Sequence, residues 1–396
     1  MTVPFKTIEQ LPIDGKRLLL RVDFNVPLAE GNVADDSRIR MALPTLRHAL
    51  EHGSRVILMS HLGRPKGSVK PELSLRPVAE RLSEILGQNV TLAPDCVGPD
   101  AERMAASLGE GEILLLENLR FHKGETENDP GFARALARLG EVYVDDAFGA
   151  VHRAHASVVG VPGFMDLKGG GFLLKKEVEA LSRVLEARTE KFVLILGGAK
   201  VSDKLGILLS LMEKAHTILI GGAMAYTFLK TRGIDVGNSL VEESSIEDAK
   251  AILKKAEETE TAFLLPIDHV VATEISETAS FQTTEGAAIP KGFMGVDIGP
   301  QTIKVYAEQL KDATMIFWNG PMGVFEISPF AKGTFEVAKA VAASPGESYV
   351  GGGDSIRAIH ESGVAEQITH ISSGGGASLE FLEGKSLPGI EALKPQ

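Results

Sequence analysis

Two sets of residues in this 396-residue chain could do chemistry, and they differ in kind. The first is cationic and lies in the first half: Arg38, His61, Arg64, Arg120 and Arg153. Arginine grips phosphate and carboxylate through paired hydrogen bonds. Several arginines converging from separate loops therefore suit a small ligand with several negative charges. Each one taken alone reads as a surface arginine in a weak ion pair, and Arg38 has the weakest position because it follows a loop rather than a strand. The second set is glycine with lysine: Gly197-Gly198-Ala199-Lys200, Gly221-Gly222-Ala223, Trp318-Asn319-Gly320-Pro321, Gly351-Gly352-Gly353-Asp354 and Ser373-Gly374-Gly375-Gly376. Glycine loops let backbone N–H groups approach phosphates, and a helix N-terminus adds a favourable dipole.

Lys200 and Lys204 are four apart, so a helix there would put both on one face at its start. Lysines in that place oppose the helix dipole. A phosphate chain between them would offset the cost, although a solvated lysine pair fits equally well. Asp354 either caps the helix that follows it or holds Mg²⁺ shared with nucleotide phosphates. Capping alone does not account for three preceding glycines, which favours the metal.

The elements that must position these residues are legible as an alternation. Apolar runs at Arg17–Val22, Arg55–Ser60, Ile113–Leu116, Val142–Val144, Phe192–Leu196, Thr217–Ile220, Ala262–Leu265, Met315–Trp318 and Ser348–Val350 read as strands buried on both faces. Helical spacing separates them, clearest at Leu75–Leu86 and Asp203–Ala215. Strand then helix, repeated, predicts an α/β protein: two Rossmann-like three-layer α/β/α domains with mostly parallel sheets. Nearly every predicted strand ends in one of the signatures above, or in Asp23-Phe24-Asn25, His61-Leu62-Gly63-Arg64, Glu117-Asn118-Leu119-Arg120 or Asp145-Asp146-Ala147-Phe148-Gly149. Ligands bind at the carboxyl ends of such strands. Lys168-Gly169-Gly170-Gly171 reads as a break, with three glycines giving the backbone freedom, and Phe172–Ala187 as a helix leading from one domain into the other. The expected domains are 1–171 with a tail at 383–396, and 172–382.

Composition excludes several classes. A formal net charge of −12 argues against general nucleic-acid binding. Thr217–Leu229, the longest nearly apolar run, is too short to span a bilayer. The first residues lack a signal peptide's charged start and apolar core. Cys96 is the single cysteine, which precludes an intramolecular disulfide and suits a buried structural thiol in a reducing compartment. No G-x-x-x-x-G-K-[ST] loop, G-x-G-x-x-G fingerprint or zinc cluster is present, and Gly384-Lys385-Ser386 is an incidental fragment. His152 and His155 read as loop or orienting residues.

The segments RVDFNVP (21–27), SHLGRPKG (60–67), LLENLRFHKGE (115–125), DDAFGAVHRAHAS (145–157), GGAKVSDK (197–204), DIGP (297–300), WNGPMGVFE (318–326), GGGDS (351–355) and SSGGGAS (372–378) together resemble the phosphoglycerate kinase family, in its order and over almost the whole chain. The resemblance implies two α/β domains joined by a helix, with the C-terminal tail packing on the first. It implies a cytoplasmic, monomeric, glycolytic enzyme moving a phosphoryl group between 1,3-bisphosphoglycerate/ADP and 3-phosphoglycerate/ATP with Mg²⁺. By resemblance Asp23, Asn25, Arg38, His61, Leu62, Gly63, Arg64, Arg120 and Arg153 hold the acid phosphate. Gly198, Lys200, Lys204, Gly222, Gly295, Asn319, Glu326, Gly353, Asp354, Ser355 and Ile356 line the nucleotide side, with Glu326 at the ribose and Asp354 at the metal. Arg38, Lys200, Gly374 and Gly375 are assigned to the transferring phosphoryl. The alternative is a two-lobed protein that traps an anion without chemistry.

Overall fold

The computed structural model describes residues 3–188 and 191–395. The chain forms two compact units, Met1–Glu179 with Ser386–Gln396, and Ala180–Lys385. The helix Phe172–Leu185 carries the chain from the first into the second.

The first unit is built on six parallel strands: β1 (Arg17–Arg21), β2 (Arg55–Met59), β3 (Val90–Leu92), β4 (Ile113–Leu115), β5 (Val142–Asp145) and β6 (Lys168–Gly170). Their spatial order is β3-β4-β2-β1-β5-β6. On one face Leu18, Leu20, Val56, Leu58, Ile113, Leu115, Val142 and Val144 pack against the helices Ser37–Glu51 and Arg76–Leu86. The alternate residues Leu19, Ile57, Leu114 and Tyr143 are buried on the other face. Burial of both faces explains why these strands read as continuous apolar runs. The C-terminal segment belongs to this unit: Gly389 donates its N–H to the Val151 carbonyl at 2.9 Å, and Leu387, Ile390 and Leu393 are buried.

The second unit has β7 (Phe192–Leu196), β8 (Thr217–Ile220), β9 (Ala262–Leu264), a three-stranded antiparallel sheet of β10 (His269–Ala272), β11 (Phe281–Thr283) and β12 (Met294–Ile298), and then β13 (Met315–Asn319), β14 (Glu347–Gly351) and β15 (His370–Ile371). The parallel sheet runs β9-β8-β7-β13-β14-β15. Counted within this sheet that is the order 3-2-1-4-5-6 of the dinucleotide-binding fold, whose ligand crevice opens where the order reverses. Here the reversal lies between β7 and β13.

Nine of the strands match the sequence reading to within one or two residues. The short strands β3, β6 and β15 and the antiparallel sheet were missed, because two to five residues carry too little periodicity to register. The helix expected over Asp203–Ala215 is shorter, Leu205–Leu211.

The glycines at 168–171 need correcting. Residues 168–170 form β6, paired in parallel with Tyr143–Asp145 and lying inside the first unit. A Cβ on Gly169 would sit 2.3 Å from the Lys6 carbonyl oxygen, and on Gly171 2.3 Å from the Asp146 carboxylate. Close packing, not freedom, requires glycine here. The helix beyond is pinned, with the Phe172 N–H donated to Thr45 Oγ1 at 2.8 Å and the Leu174 N–H to Asp146 Oδ1 at 3.1 Å. Gly169→Ala is therefore expected to destabilise the protein by about 1–3 kcal/mol, read from the urea unfolding midpoint. A hinge glycine would tolerate alanine with no loss.

Candidate active site

The cations of the first unit follow β1, β2, β4 and β5 along the chain, in loops or, for Arg38, at the start of a helix. After β1, Asp23 Oδ2 accepts from Arg38 Nη1 at 2.7 Å, which fixes the guanidinium in the first turn of the helix Ser37–Glu51. Asn25 Oδ1 accepts the Gly63 N–H at 2.8 Å, and the Gly63 carbonyl accepts from Arg120 Nη1 at 2.8 Å. Gly63 has φ +61°, a left-handed turn that a side chain would strain. The Leu62 N–H donates to Asn118 Oδ1 at 3.2 Å, and the same oxygen takes the Arg120 N–H at 3.1 Å. One asparagine thus sets both the β2 loop and the turn Leu119–Phe121 that carries Arg120.

Arg64, Arg120 and Arg153 converge on a pocket of about 440 Å³, together with Lys66, Lys123, Thr126, Glu127 and His155. Asp23, Asn25, Arg38, His61, Leu62 and Gly63 do not line it. Of these, Asn25 and Gly63 are tied to the pocket through the Asn25–Gly63–Arg120 hydrogen bonds. The pocket is electrostatically unbalanced. Burial, then the neighbouring Arg153 and Arg21, push Arg120 down to about 10. Burial, then Arg120, Arg21 and Arg153, push His155 down to about 4. A buried cation destabilised by neighbouring cations marks a place where an anion is favourable.

His61 is buried, and desolvation followed by Arg21 holds it well below the usual histidine range. Its Nδ1 lies 3.2 Å from Arg21 Nη2. A guanidinium only donates, so Nδ1 is the acceptor and the ring proton resides on Nε2. Arg21 itself was missed by the sequence reading. It is fully buried at the end of β1 and also donates to Ser157 Oγ at 2.9 Å and to the Val22 carbonyl. Ser157 in turn donates from N and Oγ to the buried Glu125 carboxylate at 2.9 and 2.7 Å. The available signal was an arginine closing an otherwise apolar strand. Lys66 and Lys123 were likewise quoted within motifs but given no role.

In the second unit the glycines meet at the β7/β13 reversal. Gly198, Gly222 and Gly320 all have positive φ. A Cβ on Gly222 would lie 2.5 Å from the Gly198 nitrogen, and on Gly320 2.2 Å from the Gly197 oxygen, so the crevice floor is backbone. Asn319, at the end of β13, accepts from Lys204 Nζ and donates to the Gly351 carbonyl at 2.7 Å. Burial lowers the Lys204 ammonium, and the nearby Asp203 and Asp354 charges partly restore it. Gly295 lies on β12 against the Tyr226 ring and donates its N–H to Ser239 Oγ at 2.9 Å. Glu326 is exposed and paired with Arg357 at 2.8 Å.

One reading of this face is corrected and one of two weighed alternatives is removed. Lys200 and Lys204 do not share a helix face: Lys200 is exposed in the loop, and Lys204 is the N-cap of Leu205–Leu211. Glu242 takes the Ser202 N–H and hydroxyl at 3.1 and 2.5 Å, which diverts the segment before a helix can begin. Asp354 is not a cap. Gly352 holds that position, and Asp354 is exposed in the first turn of Gly353–Glu361. Ser355 is buried, its Oγ accepting the Gly320 N–H at 2.6 Å, and Ile356 donates its N–H to the Gly352 carbonyl at 3.0 Å. Gly374 donates its N–H to Ser372 Oγ at 3.3 Å, and Gly375, φ +52°, precedes the helix Gly376–Leu382. The first-turn N–H groups of that helix have no partner within it.

A profile of the phosphoglycerate kinase family matches residues 8–385. The phosphoglycerate kinase of Moorella thermoacetica is 55% identical over 387 residues, covering 98% of each chain. That of Anaeromyxobacter sp. (strain K) is 53% identical over 392 residues, covering 98% of this chain and 99% of its own. Among solved structures, the phosphoglycerate kinase of Coxiella burnetii is similar at a TM-score of 0.90 and 41% identity, covering 98% of this chain and 99% of that one. The Pyrococcus horikoshii enzyme has a TM-score of 0.81 at 34% identity, covering 98% of both chains.

The depressed His155 gives a pH test. Its folded pKa, about 4, lies below the unfolded value near 6.5. The unfolded chain therefore binds the proton first, and this residue's contribution to stability falls as pH drops from about 6.5 towards 4. Buried aspartates raised to about 6 and 7, Asp145 and Asp146, act in the opposite sense. The informative quantity is thus the stability difference between wild type and His155→Gln. It should move in the variant's favour between pH 7.5 and 5 in urea melts. A difference independent of pH would mean that His155 titrates as a free histidine.

Proposed function

The chain belongs to the phosphoglycerate kinase family, and on that premise we propose how its residues carry the reaction 1,3-bisphosphoglycerate + ADP ⇌ 3-phosphoglycerate + ATP. One observation carries the reading: a self-repelling arginine pocket at the strand ends of one unit, and a glycine-floored crevice at the strand-order reversal of the other. The first suits a small polyanion and the second a nucleotide's phosphates.

On the acid side Arg64, Arg120 and Arg153 take the phosphate. The His61 Nε2–H, the Asn25 amide and Asp23 orient the rest of the molecule, with Leu62 and Gly63 contributing loop backbone. On the nucleotide side Gly198, Gly222 and Gly295 admit the nucleotide without side-chain bulk. Lys204, held by Asn319, meets the phosphate chain, Glu326 the ribose, and Gly353–Ile356 the phosphates at a helix start. Asp354 fits Mg²⁺: it is an exposed carboxylate with no hydrogen bond or ion pair among the described residues, beside Lys204. Mg²⁺ favours one or two carboxylates together with phosphates and water, and when bound would neutralise phosphate charge.

In the ATP-consuming direction a carboxylate oxygen of 3-phosphoglycerate attacks the γ-phosphorus. The bond to the β–γ bridging oxygen breaks, and ADP carries the electron pair away. A free carboxyl titrates near ~4, so the nucleophile is already ionised and no general base is required. The protein's work is alignment and charge stabilisation. Arg38, Lys200 and the amides at Gly374 and Gly375 supply it. The single buried thiol, Cys96, fits the reducing environment of the cytoplasm, and no helix among the described residues is long and apolar enough to cross a membrane.

The decisive measurement is 3-phosphoglycerate consumption driven by ATP and Mg²⁺, coupled through glyceraldehyde-3-phosphate dehydrogenase to NADH oxidation. Rapid, Mg²⁺-dependent turnover is expected. Binding of both ligands by folded protein without turnover would sink the reading in favour of a non-catalytic anion binder. Arg38→Ala should lower kcat by roughly 10²–10³-fold with little change in nucleotide affinity; normal turnover in this variant would remove Arg38 from the mechanism. Asp354→Asn should raise the Mg²⁺ concentration needed for half-maximal rate, whereas an unchanged requirement would place the metal elsewhere.

A further inference from the structure

In the same unit, three side chains of different chemistry come together. Asp95 and Cys96 lie in the loop that leaves β3, and His122 follows the turn that carries Arg120. The carboxylate oxygen, thiol sulfur and imidazole nitrogen all lie within 4.8 Å of one another. Asp95 Oδ1 is 2.6 Å from His122 Nε2 and also accepts the Cys96 N–H at 2.6 Å. Cys96 is fully buried, whereas the side chains of Asp95 and His122 are 48% and 32% exposed. The cluster is closed on its sulfur side and open to solvent on the other. Phe132 stacks on the His122 ring at 5.3 Å and limits its rotation.

We propose that Asp95, Cys96 and His122 form a binding site for a borderline-soft divalent cation of the Zn²⁺ class. One sulfur, one nitrogen and one oxygen donor match that ion's preferences and disfavour Mg²⁺ or Ca²⁺, which take oxygen. Three protein donors leave a fourth, solvent-facing position for water. Zinc bond lengths place donor pairs about 3.3–3.6 Å apart around a tetrahedral ion. The Asp95–His122 pair, at 2.6 Å, must therefore open by about 0.8 Å, and the sulfur, within 4.8 Å of both, must close by at most about 1.2 Å. Burial, followed by the Asp95 and Glu125 carboxylates, pushes the thiol well above its ordinary range, so the sulfur stays protonated until an ion displaces its proton. Metal binding releases the thiol proton to water. His122 Nε2 turns its lone pair to the ion, and its proton passes to Nδ1 or to water. The ion would tie the β3 loop to the segment that carries Arg120 and Lys123.

Because Cys96 is the only cysteine in the chain, one spectrum tests the site. Metal-free full-length protein, with nucleotide and acid phosphate omitted, is titrated with Co²⁺. A sulfur-to-cobalt charge-transfer band saturating at one equivalent is expected, and its only possible source is Cys96. Zn²⁺ should abolish the band and raise the thermal midpoint. Cys96→Ser should lose both the band and the Zn²⁺-induced shift, and His122→Asn should weaken Zn²⁺ binding at least about tenfold. A flat near-ultraviolet spectrum for wild type at excess Co²⁺ overturns the proposal whether or not either variant folds. So does a Zn²⁺ stabilisation that persists undiminished in a folded Cys96→Ser protein. Neither readout depends on kinase turnover.

Discussion

In a parallel sheet every strand delivers the chain to a loop at the same edge, and both units of this protein depend on that constraint. In the first, the loops after β1, β2, β4 and β5 supply Asp23, Asn25, His61, Arg64, Arg120 and Arg153. In the second, the loops after β7, β8, β13 and β14 supply Gly198, Gly222, Gly320 and Asp354. The central strands are buried on both faces, which leaves the loops at the strand ends free to vary. Functional residues therefore collect there without disturbing the core.

A cluster of arginines costs free energy until a ligand arrives, and the first unit holds it in place beforehand. Arg21 is the internal brace. From within the sheet it reaches Ser157, the Val22 carbonyl and His61, and Ser157 passes the load to the buried Glu125. Arg120 and its loops are positioned by neutral or backbone partners: Arg120 on the Gly63 carbonyl, Gly63 on Asn25, Leu62 on Asn118. Few carboxylates are spent on them. Arg38 with Asp23 is the exception, and there the pair sets direction while leaving further N–H groups for a ligand. Such preorganisation is what electrostatic stabilisation of a transferring phosphoryl requires.

Glycine plays two separate parts. At Gly198, Gly222 and Gly320 it supplies left-handed backbone and lets main chains touch, producing a crevice floor of N–H and carbonyl groups. At Gly169 and Gly171 the same residue is a packing element under the N-terminal segment and Asp146. A run of glycines is the same letter pattern in both cases. Only the neighbours that a Cβ would strike separate them.

Residue type and order carried a great deal. The alternation of apolar runs and helical spacing determined two α/β units, and the placement of Arg64, Arg120, Arg153, Asn319 and the glycine loops after strands located the functional edges. The single Cys96 precluded an internal disulfide. What stayed out of reach depended on contacts between residues far apart in sequence. Arg21 looked like the polar end of a strand until Ser157, 136 residues away, was seen to accept from it. Lys204 separated from Lys200 because Glu242 and Asn319, both distant in the chain, fix the turn between them. The ring proton of His61, the depression of His155 and the meeting of Asp95, Cys96 and His122 are likewise tertiary facts. Local sequence determines which backbone states and charges are available, but desolvation and hydrogen-bond partnership are set by what the fold packs alongside.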